Sequence, residues 1–184
     1  VSSNTGLPIL EQNGNQVYKT WYDFHGTNYF TFGKVSKFSD NHSISFSSGD
    51  YLVGEYSLNL SVDSFSISAW IKSSSNASIR TLMSKGSKLQ IRLNSSDQIE
   101  VMIDDEVTPK YTSTMTIADN KWHHLTFIYD SASIFLYVDG VLDHSVQDVV
   151  HPSPNYNHFC IGAVYLDRDN VFNSFLGEID EVYV

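Results

Sequence analysis

The residues of this 184-residue chain that can do chemistry fall into three groups. The first is aromatic and lies in alternating segments. Trp70 stands between Ser68 and Lys72, and Phe135 and Tyr137 alternate with Ile134 and Leu136. The second mixes aromatic, amide and charged side chains in connections. Asn155, Tyr156, Asn157 and His158 follow Pro152-Ser153-Pro154, and Tyr165, Asp167, Arg168, Asp169, Asn170 and Asn173 separate Ile161-Gly162 from Phe175. The third is acidic: Asp104-Asp105-Glu106, Asp167 to Asp169, and Glu178-Ile179-Asp180. An aromatic face stacks on the apolar C–H face of a sugar ring while amides and carboxylates meet its hydroxyls. The first two groups therefore carry the chemistry of carbohydrate recognition. Gathered carboxylate and amide oxygens are what a calcium ion takes.

Each group also has a plainer use. Large aromatics on strands are usually covered, wet loops are rich in Tyr, Asn and Asp, and acidic triplets after a strand are common turn residues. Asp167 to Asn170 lacks the glycine and distal glutamate of an EF-hand loop. His123 and His124 are neighbours and point to opposite faces of a strand, so they make no zinc pattern. Cys160, in the apolar run Phe159-Cys160-Ile161, reads as a small buried hydrophobe. The spacing shows no Ser-His-Asp or Cys-His arrangement, and no catalytic residue is assigned.

The elements that must position these groups are strands. Phe65 to Lys72 (apart from Trp70), Lys88 to Leu93 and Gln98 to Met102 alternate apolar and polar residues. Trp122 to Tyr129 and Ser133 to Val138 continue the period, with Leu125, Phe127 and Tyr129 on one face of the first and Ile134, Leu136 and Val138 on one face of the second. This is the pattern of half-buried antiparallel strands. Ser48-Gly49-Asp50, Lys85-Gly86-Ser87, Asn94 to Asp97 and Asp139-Gly140 punctuate them, and Asp-Gly is a strong type I′ hairpin signal. No long window holds a helical period. The fold class is all-β, an antiparallel sandwich or jelly roll. Residues 1–184 read as one domain, with 1–42 an irregular entry strand and loops.

Composition narrows the function classes. Lys+Arg number 11 against Asp+Glu 21, a formal charge of −10, which disfavours nucleic-acid binding and docking on anionic lipid. No segment approaches the roughly twenty apolar residues of a membrane-spanning helix. A single cysteine allows no intrachain disulfide. Asn-x-Ser sequons at Asn41, Asn59, Asn76 and Asn94 are as many as a Ser- and Asn-rich chain supplies by chance.

Taken in order, Ser43-Ile44-Ser45-Phe46, Phe65-Ser66-Ile67-Ser68-Ala69-Trp70-Ile71-Lys72, Trp122-His123-His124-Leu125-Thr126-Phe127-Ile128-Tyr129-Asp130, Leu136-Tyr137-Val138-Asp139-Gly140, Ile161-Gly162 and Phe175-Leu176-Gly177-Glu178-Ile179-Asp180-Glu181-Val182 resemble the laminin-G-like jelly roll of the concanavalin A-like lectin/glucanase superfamily. The resemblance implies two curved sheets, one concave and one convex. It implies extracellular or cell-surface use within a larger protein, and Trp122 as a packing residue. It also implies a calcium ion near the chain ends with Asp180 as a ligand. Since calcium takes six to eight oxygens, the expectation is that backbone carbonyls and the Asp40-Asn41 approach complete the set.

Hydrolases of that superfamily carry Glu-x-Asp-x-x-Glu on one strand. Here Glu178 and Asp180 begin the pattern and Tyr183 stands where the last Glu would be. The expectation is a non-catalytic lectin or adhesion module whose partner is a glycan or surface glycoprotein. The alternatives are a protein-interaction or spacer domain, and a glycoside hydrolase or lyase.

Overall fold

In a computed structural model the described residues are 9–10, 16–19 and 29–33 by their backbone, and 43–54, 60, 64–167 and 169–184 in full. The strands are β1 (Ile9–Leu10), β2 (Gln16–Lys19), β3 (Tyr29–Gly33), β4 (Ser43–Phe46), β5 (Leu52–Val53), β6 (Ser64–Ser74), β7 (Arg80–Lys85), β8 (Leu89–Leu93), β9 (Gln98–Ile103), β10 (Tyr111–Thr116), β11 (Asp119–Asp130), β12 (Ser133–Val138), β13 (Val141–Val146), β14 (Phe159–Ile161), β15 (Val164–Asp167), β16 (Asn170–Phe172) and β17 (Gly177–Tyr183). No helix occurs among the described residues, as the alternating sequence requires. Where the sequence suggests one entry strand, the backbone forms three short ones that pair in succession onto β4.

The strands form a nine-stranded sheet, β1-β2-β3-β4-β17-β6-β11-β12-β13, and a six-stranded sheet, β10-β9-β8-β7-β14-β5. All their pairings are antiparallel. Period two explains the layering. On β6, Ile67, Ala69 and Ile71 turn inward and are at most 2% exposed, while Ser68, Trp70 and Lys72 turn outward. Leu125, Phe127 and Tyr129 of β11 and Ile134, Leu136 and Val138 of β12 continue the inner face, and Leu89, Ile91, Leu93, Ile99, Val101 and Ile103 meet them from the six-stranded sheet. Burial of this apolar surface is the main favourable term in the fold. The β12–β13 turn holds Asp139 at φ 52 and Gly140 at φ 79, the type I′ geometry that Asp-Gly favours.

A polar contact joins the two sheets at one edge. Tyr111 of β10, 1% exposed, donates its hydroxyl to Asp143 of β13 at 2.5 Å and stacks on His144 with ring centroids 4.3 Å apart. Burial, with the Asp143 carboxylate beside it, keeps this phenol protonated at any ordinary pH.

On the far face of the six-stranded sheet, β15 and β16 form a separate hairpin. It folds over Cys160, and Ala163 and Tyr165 make a second small apolar cluster there with Tyr51, Val53 and Val171. Burial pushes the Cys160 thiol up to about 12, so it is inert packing, as expected of a cysteine in an apolar strand.

Candidate functional site

The outer face of the nine-stranded sheet presents its side chains in rows across neighbouring strands. One row runs Asp180, Trp70, His124 across β17, β6 and β11. The next runs Glu178, Lys72, Trp122, and on the other side Ser68 and Thr126 lead to Tyr137. Neighbouring strands lie about 4.8 Å apart, and alternate residues along a strand about 7 Å. The Trp70 and His124 rings are in contact, with centroids 5.0 Å apart at 56°, so each restricts the other. Trp70, Trp122, Phe135 and Tyr137 are all half-buried. Trp122, read from the family pattern as packing, stands in this outer face and not among the core residues.

Beside the Lys72 row the face ends in a cleft of about 310 Å³, lined by Lys72, Ser73, Ser74, Ser75, Asn76, Asn120, Leu176, Gly177 and Glu178. Lys72 Nζ lies 3.0 Å from Glu178 Oε1, and Ser43 Oγ donates to Glu178 Oε2 at 2.7 Å. Asn76 Oδ1 accepts the Ser78 amide at 3.1 Å and hydroxyl at 2.9 Å, which fixes the turn that carries it. Asn120 is exposed at φ 63, a backbone conformation that Asn tolerates better than most residues.

The wall of the cleft is held from below. Arg80 is fully buried; its Nη1 donates to Ser73 Oγ and Ser74 O, both at 2.7 Å, and its Nη2 pairs with Asp97. Ser73 Oγ in turn donates to Leu176 O at 2.8 Å, and Asp97 also accepts from Ser75 and from the Asn76 amide. Burial pushes the Asp97 carboxyl up, but the bonds from Ser75, Asn76 and Arg80 outweigh it and hold the carboxyl below its usual value.

On the other side, Gly177 stands at φ +144, and a Cβ there would lie 2.2 Å from the Lys72 carbonyl oxygen. Only glycine lets β17 approach β6 so closely. Gly177→Ala is expected to cost about 1–3 kcal/mol, read as a lower denaturation midpoint. An unchanged midpoint would show that the strands part without penalty.

The sequence-derived candidates divide between two faces. Trp70 and Tyr137 lie on this one, and the others gather at the hairpin and the loop before β14. Tyr165 is 7% exposed and packs on Tyr51 at 5.7 Å and on His158 at 5.6 Å. His158 Nδ1 bonds Gly54 O at 2.8 Å, and Asn157 O accepts Lys85 Nζ at 2.7 Å. Asp167 accepts from the Asp169 amide at 2.9 Å and from Asn170 Nδ2 at 2.8 Å, closing the hairpin. Asn173 O accepts the Thr81 amide at 2.7 Å. Tyr156 is 91% exposed with its ring in solvent. Arg168 lies outside the described residues.

Among the described residues no group of three or more His, Cys, Asp or Glu side chains is arranged to hold a metal. Asp180 lies in the Trp70 row and accepts the Glu181 amide at 2.9 Å. Asp40 lies outside the described residues. Asp180 alone does not supply the six to eight oxygens that a calcium ion takes. Lys72, Asn76, Asn120 and Trp122 were not singled out as binding residues from the sequence. Lys72 follows Trp70 by two positions on an alternating strand, a signal that was available; the convergence of Asn76 and Asn120 on it was not.

Comparison with solved structures finds the same fold at low identity. A Bacteroides ovatus protein classed as carbohydrate-binding matches with a TM-score of 0.61 and 22% identity over 76% of this chain and 42% of that one, so this chain spans less than half its length. Domain 4 of an extracellular arabinanase from Geobacillus stearothermophilus, in complex with arabinotriose, matches with a TM-score of 0.62 and 18% identity over 83% and 73% of the two chains. The carbohydrate-binding module of a Ruminococcus gnavus sialidase, bound to α2,3-sialyllactose, matches with a TM-score of 0.52 and 13% identity over 67% and 76%. No curated protein is significantly similar in sequence. A laminin-G-type family model matches residues 24–184, most of the chain and the whole sandwich from β3 onward, and the protein therefore belongs to the concanavalin A-like lectin/glucanases superfamily.

Proposed function

We propose that this domain is a non-catalytic carbohydrate-recognition module and that the outer face of the nine-stranded sheet is its recognition surface. One observation carries the reading. Trp70, steadied by His124 at 5.0 Å, stands one alternation along β6 from Lys72, which lines a polar cleft. An apolar platform beside a few convergent polar groups is the usual make-up of a small-ligand site. It suits a sugar, which offers a C–H face and hydroxyls together.

The solved neighbours add support. The arabinanase domain holds arabinotriose and the sialidase module sialyllactose. The missing third carboxylate, with Tyr183 in its place, speaks against hydrolysis on β17. We place the module in a longer secreted or cell-surface protein, with glycans or glycoproteins as partners in adhesion or substrate capture, as the family resemblance implies.

The test is a broad glycan array probed with the purified domain. Binding to a defined set of oligosaccharides is the expected result. A clean null would favour a protein-interaction or spacer role, and release of reducing ends from a polysaccharide would mark an enzyme. Calcium binding by Asp180 and Asp40 is a separate proposal that rests on the family position of Asp180. An ion bound only by the native state raises stability, so chelator should lower the melting temperature. An unchanged value would remove the ion and leave the glycan reading intact.

A further inference from the structure

We infer that the cleft beside Trp70 is a specificity subsite for uncharged sugars, and that Glu178 is the residue that excludes acidic ones. This rests on the carbohydrate reading above and names the ligand class for that site.

The cleft has two formal charges in its lining, Lys72 and Glu178, and they cancel at 3.0 Å. Its remaining lining is Ser73, Ser74, Ser75, Asn76, Asn120, Leu176 and Gly177, all uncharged. The Arg80–Asp97 pair beneath the lining and the Lys121–Asp119 pair beside Asn120, at 3.1 Å, each also sum to zero, while Asp180 adds a negative charge in the next row and the whole chain carries −10. A uronic or sialic carboxylate entering the cleft would therefore meet the Glu178 carboxylate with no uncompensated cation to offset it.

A neutral sugar meets a different surface. A lysine ammonium has three N–H donors, and the bond to Glu178 uses one of them. The others can donate to hydroxyl oxygens. Asn76 keeps its carbonyl on Ser78, which leaves its NH2 group as donor, and Asn120 offers both an acceptor and donors. Lys72 lies about 7 Å along the strand from Trp70, so a sugar stacked on the indole places its neighbour at the cleft.

The residue that sets the preference is thus Glu178. Each of its oxygens already accepts one bond, from Lys72 and from the Ser43 hydroxyl, which pins the carboxylate in the cleft as a fixed negative charge. Glu178→Gln keeps an acceptor for Lys72 and can still bond Ser43 through its amide, while it leaves the Lys72 charge uncompensated.

The experiment compares wild type, Glu178→Gln and Asn120→Gly on one array that carries matched neutral, uronic-acid and sialylated oligosaccharides, with hits re-measured by calorimetry. Wild type should favour the neutral member of each matched pair. Glu178→Gln should improve binding of the acidic members by about tenfold, the scale of one charge-assisted hydrogen bond, with neutral binding changed less. Asn120→Gly suits the positive φ and leaves the ion pair in place, so it should fold as wild type does and weaken neutral ligands severalfold without changing the charge preference.

A wild type that binds neutral and acidic partners alike, or a Glu178→Gln protein with an unaltered preference, overturns the inference while carbohydrate binding stands. Unchanged binding by Asn120→Gly removes the cleft from the site. A null across the whole array defeats the underlying reading instead.

Discussion

Asp97→Asn should lower the stability of the domain by about 3 kcal/mol, because it leaves the Arg80 guanidinium buried without a counter-charge. Arg80 is fully buried and cannot lose its proton at any ordinary pH. Its other identified contacts, Ser73 Oγ and Ser74 O, are neutral acceptors. For a domain of this size the loss corresponds to a fall of roughly 10 °C in melting temperature.

The effect should depend on pH in a definite direction. The folded Asp97 carboxyl lies below its usual value, so it stabilises the fold fully above the unfolded value of about 4, and that contribution is lost as pH falls through the folded value. The gap between wild type and Asp97→Asn is therefore largest at neutral pH and narrows in acid. Equal melting temperatures at pH 7, or a gap that does not change down to pH 3, would contradict the account of this pair. Since Asp97 also fixes Ser75 and the Asn76 amide, the variant should weaken ligand binding at the cleft even where it remains folded.

Trp70→Ala carries the largest expected effect on function, a loss of about thirtyfold or more in affinity, the scale of a buried aromatic anchor in an interface. Removing a half-buried ring from the outer face leaves the inner face of β6 unchanged, so the variant should fold, which circular dichroism checks. Tyr165→Ala is the informative contrast. It removes a 7%-exposed ring from the small cluster under the hairpin, and should cost stability there while leaving glycan affinity near wild type. Both residues looked equally eligible from sequence. An affinity lost on Tyr165→Ala and kept on Trp70→Ala would move the site to the hairpin.

The contrast shows what the chain's alternation could and could not reveal. Strands β6, β8, β9, β11 and β12, the Asp139-Gly140 turn and the buried Cys160 were legible because each depends on residues next to one another in sequence, and the superfamily was legible from the order of such segments along the chain. The opposite-facing His123 and His124 also follow from period two: His123 bonds Asp119 and Asp139, and His124 lies on Trp70.

The candidate site was half legible. Alternation could place Trp70 and Tyr137 on an outer face. It could not show that Tyr165 folds back onto Tyr51, because hairpin packing depends on contacts distant in sequence. Nor could it show Lys72 meeting Glu178, 106 positions away, or Asn76 and Asn120 converging on the same cleft. Asp104, expected as a solvated turn residue, holds the loop before β14 by accepting from the Ser153 amide and hydroxyl.

Binding of the sugar on the outer face of the nine-stranded sheet is the proposal on which the other ligand effects depend. It is tested most directly by titrating isotope-labelled protein with the best array ligand and following the amide and indole N–H resonances. The account predicts that the Trp70 and Trp122 indoles shift together with the amides of Lys72, Asn120 and Tyr137, while the hairpin from Val164 to Phe172 stays still. Shifts confined to that hairpin and to the six-stranded sheet would contradict it.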